Sequence, residues 1–125
     1  METHVMGAGP TGCMVALALA HQNQRVVLFD PQNSKALAAR SRAYAITHSS
    51  RRLMQRLDVW DELGKDLVAF EQLDLRDLAA GRQVLFVSDD LAEKNRGHHG
   101  IGWILDHRPL MTALLHRLEE SALVQ

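Results

Sequence analysis

The spacing of apolar residues changes several times along the chain, and each change predicts a different element. Residues 3–6 form a short apolar-rich segment typical of a strand, and residues 10–21 are mostly apolar, which predicts a buried helix. Residues 25–30 are a continuous apolar run with β-branched side chains, as expected for a buried parallel strand. Strand, helix and strand in this order form the unit from which parallel sheets are built, so the pattern predicts an α/β fold.

A second amphipathic segment follows a polar stretch, residues 31–42, for which we expect a loop with a short helical turn. Residues 43–46 are expected to be briefly extended, and residues 47–64 to form a helix. The apolar stripe of that helix would consist of Leu53, Leu57, Trp60 and Leu63. Ser49 or Ser50 would cap its start, and Gly64 would cap its end.

The last third of the chain alternates first and then returns to helical spacing. Residues 69–78 and 84–87 flank a glycine-containing turn and predict a hairpin, in which Phe70 lies on the first strand. Residues 88–100 are expected to be a polar loop and residues 101–105 a strand. Residues 106–122 predict a helix that begins at Asp106 or His107. Its apolar stripe would be Leu110, Leu114, Leu115 and Leu118.

Composition narrows the function classes. The 125 residues are 46% hydrophobic and carry 14 Lys plus Arg against 15 Asp plus Glu, so no basic excess points to nucleic acid. The single cysteine, Cys13, cannot form an internal disulfide, which favours a reducing, cytoplasmic location. The N-terminal residues lack the pattern of a signal peptide, and the apolar run at residues 13–20 is too short to span a membrane.

The glycines after the first strand have the spacing G-x-G-x-x-G. Gly7 would permit a tight turn, Gly9 would let a pyrophosphate approach the backbone, and Gly12 would let the helix pack closely on the strand. Pro10 and Thr11 lie in the first turn of the helix, whose N-terminus favours phosphate. We therefore predict cofactor-binding roles for Gly7, Gly9, Pro10, Thr11 and Gly12.

An acid at the end of the second strand completes this motif. Asp30 lies at the distance of about 20 residues at which such an acid hydrogen-bonds a ribose. A carboxylate here favours a free 2′-hydroxyl, hence FAD or NAD over NADP, and the spacing does not choose between the first two. The alternative is a glycine turn that serves only the packing of helix on strand.

Three stretches together carry a resemblance to a known family: "GAGPTG", "SRAYAITHSSRRLMQRLDVWDEL" and "GWILDHRPLMTALL". Over residues 5–118 the chain resembles FAD-dependent aromatic hydroxylases, in the ubiquinone-biosynthesis branch of the para-hydroxybenzoate hydroxylase superfamily. The resemblance implies a Rossmann-like FAD-binding βαβ unit with helical and β-hairpin additions, incomplete relative to the full family fold.

The resemblance also implies site residues. The glycine turn corresponds to the FAD pyrophosphate turn, and Asp30 to a ribose acid that is more often Glu in the family. Arg42 matches an arginine beside the FAD and its mobile flavin region. His107 and Arg108 fall where relatives place a flavin-contacting polar side chain, and the fixed charge of Arg108 makes it the better candidate for a phosphate.

The activity implied is that of a flavoprotein monooxygenase with NAD(P)H as electron donor. It would hydroxylate a phenol or quinol ring through a flavin C4a-hydroperoxide, with ubiquinone or another prenylquinone as the pathway product. The cofactor does the difficult chemistry, so no catalytic side chain is assigned in this segment and no metal is expected. A prenylated substrate would favour peripheral contact with a membrane.

The family's proteins are considerably longer, so residues 1–125 are interpreted as the N-terminal part of a single, truncated FAD-binding domain. We expect this segment alone to bind FAD weakly or not at all, because flavin-side contacts come from other sequence. Two other hypotheses remain open: an NAD-dependent Rossmann oxidoreductase, and a truncated non-catalytic dinucleotide-binding module.

Several remaining residues have an ordinary structural interpretation that we favour. The adjacent His98 and His99 lack the spacing of zinc ligands and are expected in a solvated loop. Cys13, at a helix N-terminus, could be a reactive thiol but is expected to be a buried packing residue. The two tryptophans are expected to anchor the core or an interface and not to stack on a flavin. Residues 49–52, "SSRR", could hold a phosphate but are expected to form a capped, solvated helix turn.

Overall fold

The computed structural model describes residues 1–97 and 100–125, and within them the predicted α/β arrangement is confirmed. Strand β1 (Glu2–Met6) leads through the glycine turn into helix α1 (Pro10–His21), and β2 (Arg25–Phe29) returns beside β1. The two strands are parallel and pair Glu2 with Arg25 through to Met6 with Phe29. The chain leaves α1 at Asn23, which has a φ of 59°, in agreement with the predicted end of that helix.

The C-terminal residues 123–125 run parallel to β2 on its other edge. The amide of Val26 donates to the carbonyl of Leu123 at 2.8 Å, and the amide of Gln125 donates to the carbonyl of Val26 at 2.9 Å. These bonds occupy the edge of β2 that β1 leaves open. Both edges of β2 are therefore hydrogen-bonded, which suits its continuous apolar sequence.

A second sheet is antiparallel and has three strands in the order β3, β7, β4. These strands are β3 (Ala43–Ile46), β4 (Val68–Phe70) and β7 (Gly102–Asp106). The register pairs Ala43 with Asp106, and this pairing sets the start of the last helix beside the start of β3. Strands β5 (Gln72–Asp77) and β6 (Arg82–Val87) form the predicted hairpin. Phe70 was placed wrongly, because it ends β4 and pairs with Gly102 instead of joining the hairpin.

The helix predicted over residues 47–64 is shorter than expected. Helix α3 (His48–Arg56) ends at Leu57, and a separate 3-10 turn covers Asp61–Leu63. Asp58 adopts a left-handed φ of 56°, and the amide of Val59 turns back to the carbonyl of Met54 at 3.0 Å. After this turn Val59 is completely buried. Tertiary burial therefore overrides the helical periodicity here.

The start and face of α3 also differ from the prediction. Thr47, and neither of the two serines, caps the helix, since its Oγ1 accepts a hydrogen bond from the amide of Ser50. The buried face consists of His48, Arg51 and Met54, whereas Leu53 of the predicted stripe is exposed. Leu57 and Leu63 of the predicted stripe are buried and Trp60 is partly buried, so the apolar pattern is wrong at Leu53 and does not include the two polar residues of the buried face.

The core lies where α1 packs against α4 (His107–Glu120) and both helices cover the sheets. Helix α2 (Ser34–Ala38), the helical turn expected in the polar stretch, packs against α4 as well. Leu110, Leu114 and Leu118 of the predicted α4 stripe are buried, and Leu115 is partly buried against the same cluster. The predicted polar loop at residues 88–100 contains two 3-10 turns, Ser88–Asp90 and Glu93–Asn95.

Candidate dinucleotide-binding site

The glycine turn has the geometry that its spacing predicts. Gly7 has a φ of +98°, a conformation that side chains strongly disfavour, and its amide donates to the carbonyl of Phe29 at 2.7 Å. A Cβ added to Gly12 would lie 1.8 Å from the carbonyl oxygen of Gly7, so α1 can approach the turn only because this residue has no side chain. A Cβ on Gly9 would meet nothing within 4 Å. That open side of the turn is where an approaching pyrophosphate would lie.

The acid at the end of β2, Asp30, is hydrogen-bonded to this turn. One carboxylate oxygen of Asp30 accepts a hydrogen bond from the amide of Ala8 at 2.9 Å, and the other accepts from the amide of Gln32 at 2.8 Å. The pKa of Asp30 is lowered chiefly by the hydrogen bond from the amide of Ala8, then by the bond from the amide of Gln32, and also by the charge of Arg40. Desolvation acts in the opposite direction. Asp30 is therefore ionised at neutral pH and keeps further lone pairs for a ribose hydroxyl.

The start of α1 is available to an anion. Gly9 is the N-cap residue and, among the described residues, no side chain caps this end of the helix. Pro10 occupies the first turn and has no amide hydrogen, as predicted, and Thr11 is exposed beside it. The amides of the first turn and the helix dipole together favour a negatively charged group at this position.

A cavity of about 380 Å³ opens beside Asp30. Its polar lining residues are Asp30, Gln32, Asn33 and Ser34, in or near the loop after β2, together with Glu119 and Gln125 from the C-terminal part of the chain. Its apolar wall is formed by Leu28, Leu37, Leu115, Leu118 and Val124. A cavity with an apolar wall and polar groups around it suits a flat heterocycle that carries a sugar.

A second cavity of about 270 Å³ brings the two predicted arginines together. Arg42 precedes β3 and Arg108 lies in the first turn of α4, and both line this cavity with exposed side chains. The amide of His107 donates to the carbonyl of Arg42 at 2.7 Å, which continues the pairing of β3 with β7. The two guanidinium groups therefore border one concave surface, although they are far apart in sequence.

Arg40 is a candidate that the sequence analysis missed. It lines the same cavity as Arg42, and its Nη2 donates to the side chain of Gln32 at 2.7 Å. It therefore connects the loop that holds Asp30 with the arginine-lined cavity. The alternation of Arg40 and Arg42 along "ARSRA" was the available signal, since alternate residues of an extended segment point to one side.

His107, the alternative to Arg108, is a structural residue. Its side chain is buried, with Nε2 2.7 Å from the carbonyl oxygen of Leu37 and Nδ1 2.8 Å from the hydroxyl of Tyr44. A carbonyl only accepts, so Nε2 carries a hydrogen, and Nδ1 is paired with the hydroxyl of Tyr44. His107 thereby connects α2 and β3 to the start of α4. Both residues line the cavity, but only Arg108 is exposed.

Cys13 is a packing residue, as favoured from the sequence. It is fully buried, and its thiol donates to the carbonyl of Ala8 at 3.2 Å. Burial and, to a smaller extent, the nearby charge of Asp30 raise the pKa of Cys13 to about 11. The thiolate is therefore disfavoured at neutral pH, and the hypothesis of a reactive thiol is wrong.

The other residues singled out from the sequence fall outside this site. Trp60 and Trp103 pack edge to face, with ring centroids 5.0 Å apart, against the core, as predicted. His98 and His99 lie outside the described residues. Within residues 1–97 and 100–125 no cluster of three or more metal-ligating side chains occurs, and no helix there is long and apolar enough to cross a membrane.

Comparison with known sequences finds relatives of much greater length. No protein-family model matches the chain. It is 32% identical over 117 residues to the ubiquinone hydroxylase UbiL of Rhodospirillum rubrum, covering 91% of this chain and 26% of that protein. It is 39% identical over 62 residues to the ubiquinone hydroxylase UbiM of Neisseria meningitidis, covering 47% of this chain and 13% of that protein. The chain thus spans about a quarter or less of these two relatives.

Comparison with solved structures finds the same fold within longer proteins. PqsL of Pseudomonas aeruginosa, described as a probable FAD-dependent monooxygenase, superposes with a TM-score of 0.72 at 17% identity, covering 100% of this chain and 32% of PqsL. The p-nitrophenol 4-monooxygenase PnpA of Pseudomonas putida superposes with a TM-score of 0.69 at 20% identity, covering 99% of this chain and 31% of PnpA. At these identities the likeness shows the fold.

The chain is thus similar to a portion of the FAD-dependent aromatic hydroxylases, in sequence to two ubiquinone hydroxylases and in fold to the solved monooxygenases. Within that class its named sequence relatives are ubiquinone hydroxylases. The resemblance stated from the sequence is thereby confirmed, as is the incomplete α/β fold. The binding roles of individual residues stay predictions.

Proposed function

We propose that this chain forms the part of an FAD-dependent aromatic hydroxylase that holds the adenosine diphosphate half of FAD. The whole protein would hydroxylate a phenol or quinol ring in the formation of ubiquinone or another prenylquinone. The observation that carries the proposal is the hydrogen bond between Asp30 and the amide of Ala8, which fixes a ribose-binding acid to the open side of the glycine turn.

The residues present fit this half of the cofactor. The open space at Gly9 and the uncapped start of α1 would receive the pyrophosphate, and Asp30 would accept a ribose hydroxyl. The cavity beside Asp30 would take the adenine against Leu28 and Leu37.

The arginine-lined cavity supports a role toward the flavin half. Arg42 and Arg108 border one concave surface, and their fixed charges suit a phosphate or the polar edge of the ring system. Bound and reduced, FAD supplies the oxygen-activating chemistry of a monooxygenase. The chain's own residues would bind and orient the cofactor, and none is required as an acid or base.

The electron donor and the substrate are proposed from the relatives. We propose NAD(P)H as the donor, because the Asp30 site would be occupied by FAD and a separate reductant is needed. The names of the two hydroxylases favour a prenylated quinol, and peripheral contact with a membrane would give access to such a substrate. The NAD-dependent alternative differs in one testable respect, namely which dinucleotide the chain prefers.

The test is an equilibrium titration of the 125-residue chain with FAD, NADH and FMN. We expect weak binding of FAD, weaker binding of NADH and none of FMN, which lacks the adenosine half. Gly9→Val should abolish FAD binding without unfolding the chain, since its Cβ meets nothing, whereas Gly64→Ala serves as a control away from the turn. Tighter binding of NADH than of FAD would favour the oxidoreductase hypothesis.

A second pair of variants tests the flavin side. Arg42→Gln and Arg108→Gln should each weaken FAD binding while leaving the affinity for ADP unchanged, because only FAD extends into their cavity. Arg25→Gln, an exposed arginine on β2, is the matched control for loss of one charge. Equal losses for FAD and ADP, or a loss in the control, would contradict the assignment of this cavity.

A further inference from the structure

Arg51 is a buried cation that the proposed function does not use. Its side chain in α3 is 6% exposed, and it forms no ion pair with a carboxylate of the described residues. Its Nη1 donates to the side chain of Gln55 at 3.0 Å, while its Nε is buried and has no hydrogen-bond partner in the part of the chain described. The Nε–H group of a buried arginine normally donates to an acceptor, and leaving this donor unpaired costs free energy.

The surroundings of Arg51 lower its pKa without neutralising it. Burial is the larger cause and the charge of Arg52 the smaller, and both act in the same direction. The guanidinium nevertheless stays protonated, because arginine keeps its proton in proteins. A partial compensation comes from Trp103, whose ring centre lies 6.0 Å from the guanidinium carbon. An unpaired positive charge is thus held beside an aromatic ring.

This arginine lines a cavity of about 310 Å³ between α3 and the three-stranded sheet. Trp60 and Trp103 line the cavity as well, with Gln55 from the helix and Leu67 just before β4. The cavity shares no lining residue with the two cavities assigned to FAD. It therefore constitutes a separate concave surface with one cation and two indole rings.

We propose that this cavity binds a small planar aromatic acid, whose carboxylate pairs with Arg51 and whose ring packs against Trp60 and Trp103. Gln55 already accepts from Nη1, so the edge of the guanidinium that bears Nε is the one left for a side-on carboxylate. A single cation between aromatic walls suits a monoanion with a flat apolar body better than a multiply charged phosphate.

The chain contains a direct reporter for this site. Trp60 and Trp103 are its two tryptophans, and both line the cavity, so intrinsic fluorescence monitors occupancy. In a titration of the cofactor-free chain, benzoate should change the tryptophan emission saturably. Benzamide has the same shape without the charge and should bind at least about tenfold more weakly, the loss expected for a charge-assisted hydrogen bond. Acetate and chloride should have no saturable effect at the same concentrations.

Variants of two arginines on one helix locate the binding. Arg51→Met should abolish the response to benzoate, whereas Arg56→Met, the loss of an exposed cation at the end of α3, should retain it. Arg51→Lys keeps the charge but not the planar fork and should weaken binding about tenfold or more. If circular dichroism shows that Arg51→Met does not fold, the affinity of Arg51→Lys for benzoate tests the role of Arg51 instead.

Four outcomes would overturn the proposal: no response to benzoate, equal binding of benzamide, an equal response to acetate, or unchanged binding in Arg51→Lys. Equal binding of acetate would show a simple anion site, and equal binding of benzamide an apolar cavity. Because the titration uses no FAD, its result neither supports nor contradicts the proposed dinucleotide site.

Discussion

Replacement of Gly12 by alanine tests the closest contact in the proposed site. The added Cβ would lie 1.8 Å from the carbonyl oxygen of Gly7 and 3.0 Å from its carbonyl carbon. Both partners are backbone, so no flexible side chain can move aside. The start of α1 must separate from the turn, or the turn must distort at a residue that already has a φ of +98°.

The size of the effect follows from two opposing contributions. Inserting a methyl group into well-packed surroundings costs about 1–3 kcal/mol, and backbone-to-backbone overlap puts this case at the upper end. Replacing glycine by alanine within a helix stabilises the folded state by about 1 kcal/mol through helix propensity. We therefore expect Gly12→Ala to lower the free energy of unfolding by about 2 kcal/mol, which lowers the melting temperature by roughly 8 °C for a chain of this size.

Thermal and urea denaturation, followed by circular dichroism, would measure this loss. Gly9→Ala is the matched control within the turn, because its Cβ meets nothing within 4 Å, and we expect its stability to lie within about 0.5 kcal/mol of the parent. If Gly12→Ala were as stable as the parent, the close approach of helix and turn would not be a real constraint on this fold. A Gly9→Ala variant as unstable as Gly12→Ala would also refute the reasoning.

Three further predictions follow from buried or backbone-bonded groups. The backbone bonds that lower the pKa of Asp30 stabilise the fold above its ordinary pKa of 3.8, and this stabilisation is lost as the pH falls through the lowered value. The stability gap between the parent and Asp30→Asn in urea should therefore shrink from pH 7 to pH 3, and a constant gap would contradict the bonding. Cys13, with a pKa raised to about 11, should resist iodoacetamide at pH 8 until urea is added, whereas labelling of the native chain, detected by mass spectrometry, would show that the thiol is accessible. Tyr44→Phe leaves Nδ1 of the buried His107 without its partner and should cost about 1–3 kcal/mol in urea denaturation, while an unchanged midpoint would mean that the bond is not formed.

Local patterns in the sequence predict the βαβ unit well. The glycine spacing, the apolar run of β2 and the acid that follows it all lie within one contiguous segment, and the parallel pairing of β1 with β2 brings Asp30 to the turn. That meeting of acid and glycines follows from a topological rule, because the ends of parallel strands lie at the same edge of a sheet. Here local sequence and tertiary structure agree.

The parts that sequence patterns missed depend on distant contacts. Helix α3 stops early because Val59 is buried by the rest of the fold, and its buried face includes Arg51, which the hydrophobic pattern assigns to solvent. Arg42 and Arg108 come together through the pairing of Ala43 with Asp106, a register that links residues far apart in the chain. The resemblance to a family suggested these two arginines, whereas periodicity alone gave no reason to pair them.

The central claim is that the glycine turn and Asp30 bind the adenosine diphosphate half of a dinucleotide. Titration of the isotopically labelled chain with ADP, followed residue by residue in nuclear magnetic resonance spectra, tests it most directly. We expect saturable shifts in the amides of Ala8, Gly9, Thr11, Gly12 and Gln32, and we expect the same shifts to be absent in Gly9→Val. Shifts confined to other parts of the chain, or equal shifts in that variant, would contradict the claim.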